Sequence, residues 1–146
     1  MANPSIAMIG SFHRALETMQ TAIDTFNKHA IQVVNPLSTV PFEPSDEFVR
    51  FETDEPGLSD AEIQVQALQR ILGASAVYVV CPEGYVGKTT SYEWGFIEER
   101  QSPAYFSEEP EVWFMKRHAQ DRIVTPQELA VMVCDGSISP IHKFEG

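Results

Sequence analysis

The segment Ser91-Tyr92-Glu93-Trp94-Gly95 contains the side chain best suited to chemistry, the carboxylate of Glu93. It falls in the first turns of a predicted helix, at the end that follows a glycine-rich loop. A carboxylate placed there can accept hydrogen bonds from sugar hydroxyls or attack an electrophilic sugar carbon. Acidic residues also favour this position through the helix dipole alone. However, a glycine inside a helix costs roughly 1 kcal/mol relative to alanine, so Gly95 indicates close packing against a strand or a substrate.

The loop before this helix shares part of the pattern of a phosphate-binding loop. Gly84-Tyr85-Val86-Gly87-Lys88-Thr89-Thr90 follows a predicted strand, and its Gly-Lys-Thr matches the end of the nucleoside-triphosphate motif. That motif needs four residues between its glycines, whereas two separate Gly84 from Gly87. Pro82 occupies the place of the first glycine, and proline has no amide donor and cannot adopt a positive φ. The spacing excludes a P-loop ATPase.

A second loop with hydrogen-bond donors follows the first predicted strand, at Gly10-Ser11-Phe12-His13-Arg14. The start of a helix offers unpaired amides and the positive end of its dipole, and Ser11 and Arg14 add side-chain donors. Together these groups could hold a phosphate or a sugar hydroxyl. Taken alone, the loop is better explained as a tight turn with Ser11 as an N-cap and Arg14 solvated.

Strands and helices alternate along the chain and position both loops. Apolar runs predict strands at residues 5–9, 31–34, 74–81 and 111–115. Apolar residues at helical spacing and N-capping patterns predict helices at residues 14–29, 59–73 and 89–100 and a last helix from Thr125. The proline-rich stretch 37–57 is predicted to be an irregular insertion, with one short extended piece at residues 48–51.

This order predicts an α/β fold over residues 1–146, a single-domain three-layer sandwich of the flavodoxin or Rossmann type. Its sheet would be mostly parallel, with about four to five strands and helices on both faces. Residues 74–81 are apolar on both faces of the strand, so we expect them in the middle of the sheet. Ligands bind such sheets where the carboxyl ends of strands meet the following loops, which selects the loops at residues 10–14 and 82–93.

The charge balance excludes two classes of partner. Ten Lys and Arg residues against twenty-one Asp and Glu residues give a net charge of −11, whereas nucleic acid polymers and anionic membranes attract cationic surfaces. The two cysteines, Cys81 and Cys134, predict neither a disulfide framework nor a zinc site. No apolar run is long enough to span a bilayer, and residues 1–4 lack a signal-peptide pattern. We therefore expect a cytoplasmic protein.

Four segments in chain order together carry a family resemblance. They are Ile9-Gly10-Ser11-Phe12-His13-Arg14, Val33-Val34-Asn35-Pro36, Ala76-Val77-Tyr78-Val79-Val80 with the capped helix before it, and Gly87 followed by Tyr92-Glu93-Trp94-Gly95-Phe96. These segments resemble the nucleoside 2-deoxyribosyltransferase superfamily, which includes the deoxynucleoside 5′-monophosphate N-glycosidases. The resemblance covers roughly residues 5–100 and depends on short motifs.

The resemblance implies a reaction and a set of site residues. Glu93 would be the nucleophile that attacks the anomeric carbon of a (deoxy)ribose, and Tyr92 would position its carboxylate. The family's aspartate after the third strand is absent, and Glu83 is the residue that could replace it. The resemblance further implies a small nucleoside or nucleotide as partner, a homo-oligomer, and no metal or bound cofactor. Substrate would be bound by residues of both loops: Gly10, Ser11, Phe12, Arg14, Glu83, Gly84, Gly87 and Ser91.

Two other functions stay open on the residues alone. A non-catalytic nucleotide-binding or regulatory module would use the loops at Gly10 and at residues 84–89 to sense a phosphorylated ligand. In a structural or interaction protein, Glu93 would only complement the helix dipole. An enzyme releases product, whereas a sensor shows a ligand-dependent rise in melting temperature without product.

Overall fold

Twelve short elements make up the described part of the chain. The computed structural model describes residues 3–36, 41–43, 50–51 and 57–143, and for residues 12, 13, 41–43 and 50–51 it describes the backbone only. A 3₁₀ turn at Pro82–Gly84 joins two of the elements. The others are, in chain order, β1 (Ser5–Gly10), α1 (Phe12–Lys28), β2 (Gln32–Asn35), β3 (Pro41–Glu43), β4 (Arg50–Phe51), α2 (Asp60–Gly73), β5 (Ala76–Val80), α3 (Lys88–Arg100), β6 (Ala104–Phe106), α4 (Trp113–Ala119) and α5 (Pro126–Asp135).

Four parallel strands form the main sheet, in the order β2-β1-β5-β6. All five residues of β5 are buried, and β5 lies between β1 and β6. The predicted central position of this strand is therefore confirmed. In register, β1 runs beside β5 from the pair Ile6–Ala76 to the pair Gly10–Val80, so both strands end at the same edge.

Helices cover both faces of this sheet because β1 and β5 alternate their side chains between two cores. Met8 and Tyr78 face a core formed with α1 and α5, which contribute Met19, Phe26 and Leu129 among others. On the opposite face, strand residues such as Ile9 and Val79 pack with apolar residues of α2, α3 and α4; these include Ile71, Trp94, Ile97 and Met115. The predicted three-layer α/β sandwich is confirmed.

The fourth strand was predicted in the wrong place. Residues 113–119 form the helix α4, and the fourth strand is β6, which starts seven residues before the predicted start. The apolar run misled because its residues are not buried evenly: Trp113 is 76% exposed, whereas Met115 and Ala119 are buried one helical turn apart. In the predicted insertion, Arg50–Phe51 pairs with Pro41–Glu43 in a two-stranded antiparallel sheet. The remaining residues of the predicted extended piece, Phe48 and Val49, lie outside the described residues.

Two helices begin with capping boxes, one predicted at Ser59 and one at Thr125, where the sequence predicts an N-cap. Ser59 and Glu62 exchange side-chain hydrogen bonds at the start of α2, and Thr125 and Glu128 do the same for α5. These reciprocal bonds satisfy amides that the helix itself leaves unpaired. None of the helices in the described ranges has the length and apolar character needed to cross a membrane.

Candidate functional site

The two loops selected from the sequence contact each other at the carboxyl edge of the sheet. The guanidinium carbon of Arg14, in the first turn of α1 after β1, lies 3.8 Å from the centre of the Tyr85 ring, in the loop after β5. This distance is within the range of a cation–π interaction. Because β1 and β5 are neighbours, the loops that follow them form one surface.

Two of the glycines predicted to bind substrate have structural reasons to be glycine. Gly10 has φ +155°, and a Cβ built on it would lie 2.3 Å from the carbonyl oxygen of Val80. Gly84 has φ +83°, and its added Cβ would lie 3.0 Å from the carbonyl oxygen of Glu109. In both cases the neighbouring atom is backbone, which cannot swing away as a flexible side chain does. The shape of the site edge therefore depends on these glycines whether or not a ligand is bound.

The helices that start at these loops differ from α2 and α5 at their first turns. Ser11 and Gly87 are the N-caps of α1 and α3, and neither helix has a side-chain capping bond or an acidic residue in its first turn. The Ser91 hydroxyl donates to the carbonyl oxygen of Gly87 at 3.0 Å, within its own helix. Uncapped amides at helix starts are compatible with an anionic ligand.

Glu93 is a buried carboxyl group in the second turn of α3. Glu93 is 6% exposed. Its Oε2 accepts a hydrogen bond of 3.0 Å from the Nε2 of Gln64. Burial raises the pKa of Glu93 to about 7, and the Gln64 hydrogen bond acts in the opposite direction. Burial disfavours the charged form, whereas a donor to the carboxylate favours it. Near neutral pH this group can therefore both lose and regain a proton.

Gln64 is the residue of this arrangement that sequence reasoning missed. It lies in α2, which precedes β5 and so begins at the same sheet edge where α3 begins. Ile63 and Leu68 are buried in this part of α2, and the side-chain amide of Gln64 reaches α3. A single glutamine beside an apolar stripe is not a motif, so no local pattern in the sequence could have identified it.

Two other predicted residues contact groups other than the Glu93 carboxyl. Tyr92 is 52% exposed, and its ring packs edge-on against Phe96 with centroids 5.2 Å apart. Glu83 is exposed with φ +58°, and its backbone amide donates to the Glu108 carboxylate at 3.2 Å. Close packing within the chain at Gly95 was predicted wrongly, because a Cβ added there would meet no heavy atom within 4 Å. The Phe12 side chain lies outside the described residues.

Other reactive side chains in the described ranges do not assemble a second site. Cys81 is buried, and burial raises the pKa of its thiol, which disfavours the reactive thiolate. His118 is buried and hydrogen-bonded through Nε2 to the Glu98 carboxylate at 2.7 Å. Among residues 3–36, 41–43, 50–51 and 57–143, no cluster of three or more His, Cys, Asp and Glu could hold a metal ion.

Comparisons with known proteins return no relative for this chain. No family model matches it, no curated protein matches it, and no solved structure matches it. Its function must therefore be inferred from its own residues and their geometry.

Proposed function

We propose that this protein cleaves or transfers the N-glycosidic bond of a (deoxy)nucleoside or a nucleoside 5′-monophosphate, with Glu93 as the nucleophile. The observation that carries the proposal is the buried Glu93 carboxyl, held by Gln64 in the helix that follows the loop after β5, with a pKa of about 7. A carboxyl group shielded from water and able to ionise near neutral pH is the type of group that active sites use. The segment resemblance assigns the same residue.

The reaction would proceed by two displacements at the anomeric carbon. An oxygen of the Glu93 carboxylate forms an ester bond to this carbon, while the bond to the base nitrogen breaks and its electron pair leaves with the base, which takes up a proton. Water or a second base then attacks the same carbon, and the ester bond breaks to restore the carboxylate. Two inversions give net retention through oxocarbenium-like transition states.

The loops after β1 and β5 would hold the substrate beside Glu93. Ser11 and Arg14 would bind the sugar 5′ side or a 5′-phosphate, aided by the uncapped start of α1. Arg14 is exposed and stacked on Tyr85, and it could leave this ring to meet an anion. No metal or bound cofactor takes part in these steps.

Base release tests this activity directly. Purified protein would be incubated with ribo- and deoxynucleosides and their 5′-monophosphates, with and without an acceptor base, and free base measured by chromatography. We expect release by the wild type and by Glu17→Gln, a matched change at an exposed glutamate of α1, and none by Glu93→Gln. Equal release by Glu93→Gln would refute the nucleophile. A saturable thermal shift without product from any substrate would instead identify the non-catalytic binding module.

We also propose that the chain forms a cytoplasmic homo-oligomer through the outer face of α2 and α3. This face carries exposed apolar residues, Val65, Tyr92 and Phe96, beside a groove of about 460 Å³. Glu99 and Arg100 line the same groove, so a two-fold axis would bring opposite charges of two copies together. Light scattering should show a dimer or larger species that Phe96→Glu dissociates; a wild-type monomer would refute the proposal.

A further inference from the structure

We propose that Gln64 is a positioning residue, whose side-chain amide fixes Oε2 of Glu93 and directs Oε1 toward the reacting sugar. This inference rests on the proposed function, because it assigns a role in the same reaction. It adds a residue from α2 to a site that the sequence places on the loops after β1 and β5. The contact joins two helices and spans 29 positions of the chain.

The chemistry of the contact explains why a glutamine suits this position. An ionised carboxylate only accepts hydrogen bonds, so its partner must donate, and the Nε2 of Gln64 is 3.0 Å from Oε2. A basic residue would form an ion pair with the carboxylate and weaken it as a nucleophile. A second acid would repel it and hold a shared proton. A neutral amide fixes the oxygen without either effect.

The fold holds Gln64 in place for this task. The capping box of Ser59 and Glu62 fixes the first turn of α2, and Ile63 and Leu68 are buried on either side of Gln64 along the helix. On α3, the neighbours Thr90, Trp94 and Ile97 are also buried, so the Glu93 backbone is equally constrained. In a covalent mechanism, this rigidity limits the rotation of the attacking group.

Two effects from the described part of the chain act on the pKa of Glu93: burial raises it and the Gln64 hydrogen bond lowers it. Neither of them comes from a charged side chain. Removal of the donor should therefore raise the pKa further. A hydrogen bond to a charged group is strong enough to shift this pKa by about one pH unit. The direction of the shift separates positioning through the carboxylate from a simple packing role, since a loss of packing would expose Glu93 to water and lower its pKa.

The test compares Gln64→Met, which keeps the side-chain length but has no donor, with Gln69→Met at an exposed position of the same helix. Protein labelled with ¹³C at glutamate carboxyls would be titrated by NMR, with the Glu93 resonance assigned by its loss in Glu93→Gln. We expect a midpoint near pH 7 in the wild type and in Gln69→Met, and about one pH unit higher in Gln64→Met. Equal midpoints in all three would overturn the inference.

A second measurement uses the wild type alone and so does not depend on the folding of a variant. The side-chain amide protons of Gln64 should shift with the Glu93 titration, with a midpoint near pH 7. An amide resonance that stays constant from pH 6 to pH 8 would overturn the inference. Neither titration requires turnover, so both test whether Gln64 controls the ionisation of Glu93 even in a protein that releases no base. Absence of base release would refute the proposed function and leave the result of the titrations standing.

Kinetics provide the functional readout. At a pH above the titration, Gln64→Met should lower kcat about tenfold with little change in KM, because the loss is in the orientation of the attacking group. A change confined to KM would show that Gln64 binds substrate and would overturn its role as a positioning residue.

Discussion

Glu93→Gln should make the protein more stable at alkaline pH, because the folded state holds an acidic group away from water. The pKa of Glu93 rises from 4.5 to about 7 on burial. Between these two values the unfolded chain has released the proton while the folded chain still binds it. The free energy of unfolding therefore falls as the pH rises from 4.5 to 7, and the full cost is present above pH 7.

The size of this cost follows from the shift. A difference of about 2.5 pH units, at about 1.36 kcal/mol per unit, corresponds to about 3 kcal/mol at pH 8.5. At pH 5.5 the same calculation gives a cost of about 1.5 kcal/mol, because this pH is only one unit above the pKa of the glutamate in the unfolded chain. The glutamine of Glu93→Gln has the same shape, can still accept from Gln64, and never ionises, so it avoids this cost.

Urea denaturation at pH 5.5 and pH 8.5 measures the effect, with the fluorescence of the buried Trp94 and circular dichroism as probes. The stability advantage of Glu93→Gln over the wild type should grow by roughly 1.5–2 kcal/mol between the two pH values. Glu17→Gln, at an exposed site on α1, should show no such growth. An advantage that is the same at both pH values, or a variant less stable than the wild type at pH 8.5, would contradict the burial argument.

Four further predictions concern the site and the helices that hold it. The kcat/KM for base release should rise with pH and level off above about pH 7, since attack requires the Glu93 carboxylate; a flat profile would contradict this. Gly10→Ala should lower the free energy of unfolding by at least about 2 kcal/mol, because its Cβ clashes with the Val80 carbonyl. Gly95→Ala should raise the free energy of unfolding by about 0.5–1 kcal/mol, because its Cβ meets no neighbour. The urea midpoints of the two variants measure both effects. Ser59→Ala should cost about 1 kcal/mol by removing the capping box of α2, and an unchanged midpoint would show that the cap contributes little.

The fold could be predicted where local patterns and burial agree. The run of apolar residues at 74–81 predicted a central strand because a strand covered on both faces has no polar side. The capping box at Ser59 and the N-cap with proline at Thr125 predicted helix starts because these signals are local. The run at residues 111–115 failed because apolar content alone does not distinguish period 2 from period 3.6 over five residues.

Only the part of the site that depends on neighbouring residues in the sequence could be predicted. The helix position and neighbours of Glu93 singled it out, but its partner Gln64 comes from another helix, and only the packing of α2 against α3 brings the two together. For Gly95, the predicted packing against a strand was wrong for the same reason, because the sequence near a helical glycine does not show what surrounds it in the fold.

The central claim is that Glu93 forms a covalent bond to the substrate sugar. The most direct measurement is acid quenching of the protein during turnover of a releasing nucleoside or monophosphate, followed by peptide mass spectrometry. The account predicts a sugar adduct on the peptide that contains Glu93, absent from Glu93→Gln. Base release with no adduct on any peptide, or with an adduct that persists in Glu93→Gln, would contradict it.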